Sequence, residues 1–309
     1  MSAQCFQTIT VGSRSSDLAL WQTRWVIARL QQMRHDVEFR IQRITTRGDV
    51  VRDRTLSQVG GKGLFVKEIE AALLAGEIDL AVHSLKDMPT DLPKGLAIGA
   101  VTAREDPRDV MVSRLGLGLA ELPLGARVGT GSLRRAAQLR ACCPDLRVVD
   151  LRGNVDTRLR KAMTEEYDAV VLAAAGLLRL GYSDRITEYL SPKVMLPAAG
   201  QGALCVEIRT DDEATRTLIS IVHDPLTDSA VTAERAFLAR MGGGCQVPIA
   251  AYGIVNDDEL WLRGMVASPD GSRLLRHELR GSWIEPVPLA QALAEEMLAQ
   301  GADEIWQER

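Results

Sequence analysis

The stretch Arg127-Val128-Gly129-Thr130-Gly131-Ser132-Leu133-Arg134-Arg135 passes from a short apolar run through small polar residues into a helical pattern. That order is the sign of a strand entering a helix through a tight turn. It recurs downstream: strand candidates lie near 127 to 130, 147 to 151 and 168 to 173, with helices near 132 to 141 and 155 to 163 between them. Such alternation predicts a largely parallel sheet with helices on both faces. The longest apolar run, Ala169 to Leu178, has ten residues. It is too short to span a bilayer and reads as a buried strand.

Upstream, residues 8 to 12 read as a strand, and Ser16 with Asp17 starts a helix. Its buried stripe would be Leu18, Trp21, Trp25 and Ala28 at three- and four-residue spacing. A strand near 37 to 45 leads into Thr46-Arg47-Gly48-Asp49 and a glycine-containing polar segment, read as a loop over a site. Phe65, Val66, Ile69, Ala72 and Leu73 mark a helix, and Asp79 to Val82 a strand. The charged run Arg104 to Asp109, broken by Pro107, reads as a crossing between domains, and Leu204 to Ile208 as a strand able to return to the first sheet. Asp228 to Met241 reads as a helix ending at Gly242-Gly243-Gly244. Three alternating segments near 247 to 254, 259 to 266 and 273 to 279 predict antiparallel strands. A last helix carries Leu289, Leu293 and Met297, giving a small α+β block.

A chain of 309 residues predicts two domains, or three if one is small. Its 46% hydrophobic and 25% charged residues are ordinary for a globular protein. With 37 basic and 41 acidic residues the formal charge is -4, which argues against a general nucleic-acid binder. Met1 to Phe6 lacks a basic stretch followed by an apolar run, so export is not expected. Five cysteines, an odd number, form no CxxC or Cys/His cluster, and four scattered histidines form no metal motif. The expectation is a reducing cytoplasm, no metal and at least one nucleophilic thiol.

Charge is unevenly spread. Arg127 to Lys161 holds nine basic and three acidic residues. Backbone amides at the helix start near Thr130 and Ser132 can receive an anion, and Arg134 and Arg135 supply charged forks. Arg152-Gly153-Asn154 repeats the arrangement, with Arg158 one turn on. The residues leave two readings open: a ligand with several carboxylates or phosphates, or arginines that merely solvate helix faces. In His83-Ser84-Leu85-Lys86-Asp87-Met88-Pro89, Asp87 can exchange a proton or stabilise a cation, and Lys86 can hold an anion. A turn or cap role before Pro89 is the alternative for Asp87. Adjacent His83 and Ser84 cannot readily form a relay by themselves. Cys245 follows three glycines that leave its thiol uncrowded, with an ordinary buried cysteine as the alternative.

Together these motifs resemble the hydroxymethylbilane synthase (porphobilinogen deaminase) family over nearly the whole chain. The resemblance runs in order through Arg14 to Trp21, Thr46-Arg47-Gly48-Asp49, Val59 to Phe65, His83 to Asp87, Val128-Gly129-Thr130, Leu133-Arg134-Arg135, Leu151 to Val155, Pro197 to Gly202 and Gly243 to Pro248. It implies two periplasmic-binding-protein-like α/β domains flanking an active cleft, plus a smaller C-terminal α+β domain. The implied divisions are 1–102 with 200–222, 103–199, and 223–309.

The resemblance also implies a cytoplasmic, monomeric transferase with one dipyrromethane cofactor per chain, joined by a thioether to Cys245. Four porphobilinogen units would be added with loss of ammonia, and hydrolysis would release the linear tetrapyrrole. Asp87 would be the main catalytic carboxylate. The cofactor would also contact Lys86, Thr130, Ser132, Arg134, Arg135 and Arg158. Substrate and the growing oligopyrrole would meet Arg14, Ser16, Arg152, Arg158, Arg179 and Gln201, while Lys62 and Phe65 would organise the loop. No nucleic acid, membrane, metal or obligate protein partner is implied. Two departures stand out: Gly131 occupies a place often held by serine, and Asp156 replaces a frequent small residue. The competing reading is a two-lobed protein that only captures an anion.

Overall fold

Ile9 and Val11 alternate with polar neighbours along Gln7–Arg14 and are buried on one face, the period-two pattern of a strand. This strand (β1) is followed by α1 (Asp17–Met33), β2 (Val37–Ile44), α2 (Lys67–Leu74), β3 (Leu80–Ser84), β4 (Leu96–Val101) and β5 (Asp109–Ser113). Next come β6 (Arg127–Gly129), α3 (Leu133–Cys142), β7 (Arg147–Val149), α4 (Val155–Ala162), β8 (Ala169–Ala173), α5 (Ala174–Arg179) and β9 (Glu188–Tyr189). The chain continues with β10 (Leu204–Arg209), α6 (Glu213–Ile219), α7 (Pro225–Arg240), β11 (Ile249–Asn256), β12 (Glu259–Ala267), β13 (Leu274–Ser282), α8 (Pro286–Ala299) and α9 (Ala302–Gln307). The computed structural model describes residues 7–46, 48, 66–242 and 247–307. The chain divides into one unit of Met1–Arg104 with Ala203–Asp228, and another of Glu105–Gly202 with Ser229–Arg309.

The first unit holds a five-stranded sheet ordered β2-β1-β3-β10-β4. β1 is parallel to β2 and β3, whereas β10 runs antiparallel to both β3 and β4. Leu204–Arg209 therefore does return to the first sheet, and it makes that sheet mixed rather than wholly parallel. In the second unit the order β7-β6-β8-β5-β9 repeats the plan, with β5 as the antiparallel fourth strand. The same unit carries the antiparallel sheet β11-β12-β13. Phe237, Leu260, Leu262, Leu293 and Met297 build its core between the sheet and α7 and α8. A further apolar cluster joins Ala137 of α3 to Met265 and Ala267 of β12. The expected fold class is observed: two α/β sheets and a smaller α+β block. Among the described residues no helix is long and apolar enough to cross a membrane.

Two local expectations need correction. The buried face of α1 is Ala19, Leu20, Gln22, Thr23, Val26, Ile27 and Leu30, while Ala28 is exposed and Trp25 is half-buried with Arg29 5.2 Å from its ring centre. The stripe is rotated because polar residues find partners inside: Thr23 donates to Ser13 Oγ at 2.9 Å and Gln22 to Ser84 Oγ at 2.8 Å. Satisfied polar groups can be buried, which a hydrophobic stripe does not register. The run Ala169 to Leu178 is also not one strand. Val170, Val171 and Leu172 form the strand, and the helix-favouring Ala174-Ala175 starts α5.

Candidate functional site

In the first unit, parallel pairing of β1 with β3 sets Val11 opposite Leu80 and Gly12 opposite Ala81. Arg14, Ser16, Lys86 and Asp87 are thereby carried to the same, C-terminal edge of the sheet, where α/β folds gather ligand-binding groups. Arg14 is half-buried at the end of β1, and Ser16 caps α1 by accepting the Ala19 N–H at 3.3 Å. Beyond β3 the chain makes one 3-10 turn, Leu85–Asp87. Leu85 and Met88 are buried, and the Leu85 N–H donates to the Ala203 carbonyl at 3.0 Å. Two apolar anchors thus hold a turn on which Lys86 is half-buried and Asp87 is exposed.

Neighbouring strand residues face opposite sides of the sheet. Ser84 meets Gln22 of α1, while His83 Nε2 lies 3.1 Å from Glu207 Oε2 of β10. No Ser84–His83 relay exists. His83 and Glu207 are 5% and 0% exposed, and Glu70 of α2 is buried on the same face. One oxygen of Glu70 and one of Glu207 have no hydrogen-bond partner. Burial, reinforced by Glu207, pushes the Glu70 carboxyl up from its ordinary 4.5, against the pull of His83 and Lys67.

In the second unit, parallel pairing of β6 with β7 brings two strand-to-helix turns to one edge. Thr130 is buried, and its Oγ1 accepts the Ser132 N–H at 3.2 Å. Ser132 is the N-cap of α3, and Asn154 caps α4 by accepting the Thr157 N–H at 2.9 Å. Between them Gly153 has φ +121, a backbone that a side chain would strain. Half-buried Arg152 donates to Asp150 at 2.8 Å, and half-buried Arg158 donates through Nε to the Gly153 carbonyl at 2.7 Å. A Cβ on Gly131 would come 2.7 Å from the Leu151 carbonyl oxygen, so its lack of a side chain lets the two turns approach. Asp156 accepts the Tyr182 hydroxyl at 2.8 Å.

Arg134 and Arg135 are 5% and 4% exposed and converge on fully buried Asp109, the first residue of β5. Arg134 Nη1 donates to Asp109 Oδ2 at 2.7 Å and to the Leu196 carbonyl at 2.6 Å. Arg135 reaches Asp109 Oδ1 through Nε at 3.0 Å and Nη2 at 2.7 Å, and the Val171 carbonyl through Nη1 at 3.1 Å. Gln201 adds its amide, 2.9 Å from the same Oδ1 and 2.7 Å from the Pro107 carbonyl. Burial alone would raise the Asp109 carboxyl. The two guanidiniums override it and hold the group well below its ordinary 3.8. A guanidinium has five N–H donors, and Nε and Nη2 of Arg134 make none of these bonds. Arg179 is buried and donates to the Gly202 carbonyl at 2.6 Å. Burial lowers it to about 10, partly offset by Glu105.

Cys245, Lys62 and Phe65 lie outside the described residues, as do Arg47 and Asp49. Among the described residues no group of three or more His, Cys, Asp or Glu could hold a metal ion. The sequence reading missed Asp109, Glu70 and Glu207. Asp109 stood inside a run taken for a crossing, and its signal was the Arg134-Arg135 pair at a helix start: two adjacent guanidiniums on a packed helix require a buried acceptor.

The model of the family "Porphobilinogen deaminase, dipyromethane cofactor binding domain" matches residues 9–217, and that of the "Porphobilinogen deaminase, C-terminal domain" matches residues 229–299. A porphobilinogen deaminase of Roseiflexus sp. (strain RS-1) is 55% identical over 295 residues, covering 96% of this chain and 97% of its own. Porphobilinogen deaminases of Geobacter metallireducens and Halalkalibacterium halodurans are 53% and 52% identical, each over 96% of this chain and 93% and 96% of theirs. Both α/β sheets and the C-terminal block are included in those matches, and the chain belongs to the porphobilinogen deaminase family.

Proposed function

We infer that the chain is a transferase of tetrapyrrole synthesis that builds hydroxymethylbilane from four porphobilinogen molecules on a dipyrromethane primer bound through a thioether to Cys245. Two kinds of partner suit the primer: cations and amides for its acetate and propionate groups, and a carboxylate for its pyrrole N–H groups. Arg14, Lys86, Arg152, Arg158 and the helix starts capped by Ser132 and Asn154 supply the first kind. Asp87 supplies the second. When bound, the dipyrromethane would supply the electron-rich pyrrole carbon to which the first substrate unit is joined, each later unit being joined to the ring added before it.

Departure of the substrate amine as ammonia requires a proton on nitrogen and leaves a positively charged methylene pyrrole. In this reading Asp87 accepts the pyrrole N–H and stabilises that developing charge. The observation that carries this reading is its exposure on a turn fixed by buried Leu85 and Met88, which presents a carboxylate without leaving it free to wander. Thr130, Ser132, Arg134 and Arg135 serve the primer, the arginines through donors not engaged by Asp109. Ser16, Arg152, Arg158, Arg179 and Gln201 position the growing chain, and Lys62 and Phe65 organise the loop. The domains run 1–102 with 200–222, 103–199 and 223–309, and the enzyme works as a monomer in the cytoplasm. Adjacent free thiols at Cys142 and Cys143 support a reducing compartment.

Asp87→Asn tests the assignment. The variant should fold and retain the covalent primer by intact mass, yet lose at least about 100-fold in turnover of porphobilinogen. Turnover near that of the parent, with the primer present, would remove Asp87 from the reaction.

A further inference from the structure

Outside this machinery, the last residue of α3 and its C-cap are adjacent cysteines, Cys142 and Cys143. Their sulfurs lie 3.3 Å apart, Cys142 is exposed, and Cys143 is half-buried against the apolar cluster that includes Met111, Leu119, Val128 and Leu139. Both thiols are free. The one other cysteine among the described residues, Cys205, is 0% exposed within the first sheet. The pair ends the helix whose first turn carries Arg134 and Arg135, about 12 Å along its axis from Arg134 at ~1.5 Å per residue, and so stands apart from the primer-holding turn.

The sulfur separation selects among things two thiols can hold. A disulfide needs about 2.05 Å, so both side chains would have to move. A tetrahedral ion with sulfur bonds of about 2.3 Å would spread two ligands to about 3.8 Å and demand four of them. No second pair of ligands is available, since no group of three or more metal-binding side chains exists among the described residues. Two bonds of about 2.3 Å meeting near a right angle put their sulfurs about 3.3 Å apart. That is the demand of a soft, three-coordinate, pyramidal centre. Arg276 lies close enough to act on the Cys142 sulfur electrostatically, which disfavours a doubly charged cation and tolerates a neutral ligand.

We propose that Cys142 and Cys143 form a two-sulfur chelating site for neutral trivalent arsenicals. An organoarsenic(III) dihydroxide and the two thiols exchange two As–O bonds for two As–S bonds. Both thiol protons leave with the oxygens as two molecules of water, and arsenic stays trivalent throughout. Although the residue as a whole is exposed, partial desolvation of its sulfur and the hydrogen bond to Cys143 push the Cys142 thiol up to about 12, so the proton is present to be carried off at neutral pH. The same shift leaves little thiolate for attack on single-site electrophiles. Chelation, not nucleophilicity, gives the site its selectivity.

The test titrates the primer-loaded enzyme with phenylarsine oxide and reads intact mass and peptide maps. One adduct per chain should form across Cys142 and Cys143, reversed by a small dithiol and not by a monothiol. Cys142→Ser and Cys143→Ser should each weaken capture by about 100-fold or more, the gain from linking two weak bonds. Both variants should keep the parent's turnover and melting curve. Should serine disturb the packing around residue 143, Cys143→Ala removes the sulfur and answers the same question. Unchanged capture in either variant, an adduct mapped elsewhere, no adduct, or equally tight binding of zinc ion would each overturn the proposal.

Discussion

Each α/β unit buries a cluster of charges, and the two are built on opposite principles. Asp109 in the second unit meets two guanidiniums and a carboxamide, and both its oxygens are hydrogen-bonded. His83, Glu207 and Glu70 in the first unit set two carboxylates against one imidazole, and two of the four carboxylate oxygens are unpartnered. Buried charge is costly unless paired and hydrogen-bonded. The Asp109 cluster therefore locks α3 onto its sheet, whereas the Glu70 cluster leaves α2 on its sheet at an electrostatic cost. The carboxyls accordingly shift in opposite directions, Asp109 downward and Glu70 upward.

The largest break in this contrast should come from Asp109→Ala, which strands two buried guanidiniums. A loss of about 3–5 kcal/mol is expected, read from the midpoint of urea unfolding. A loss under about 1 kcal/mol would mean that water or a rearranged partner replaces the carboxylate. Gln201→Met removes a neutral amide with its hydrogen bonds to Asp109 and Pro107 and leaves the ion pairs intact, so a loss of about 1–2 kcal/mol should follow by the same measurement.

Glu70→Gln should be the mildest, changing stability by less than about 1 kcal/mol at neutral pH, because it removes a charge that the site holds poorly. Its signature is pH dependence. A carboxyl raised on folding gives stability that is complete below 4.5 and is lost as pH rises through the folded value. Asp109, lowered on folding, gives stability present above 3.8 and lost as pH falls through its folded value. Thermal unfolding across pH should show Glu70→Gln flattening the decline above 4.5 while leaving the acid side unchanged. A parallel curve would assign the effect to other groups.

Much of the fold was legible because strand and helix periods are local. The strand-turn-helix at Arg127 to Arg135, the Ser16 cap and the three C-terminal strands stand where the pattern puts them. Local patterns failed where a partner distant in sequence decides. Gln22 and Thr23 are inside α1's packed face because Ser84 and Ser13 receive them. Asp109 looked like part of a solvated crossing because its arginines follow 25 and 26 residues later. The Cys142–Cys143 pair is obvious in the sequence, but its 3.3 Å sulfur separation comes from the end of α3.

The sequence by itself determined the family, the alternation of strands and helices, and which residue types stand at the strand ends, since these are properties of ordered motifs and short periods. Tertiary structure alone decided which charges are buried together and which remain for a ligand. Whether Arg134, Asp87 or Glu70 holds a partner, faces water or resists ionisation depends on groups brought near by sheet register and helix packing. Electrostatic energy depends on that distance and burial, and neither is written along the chain.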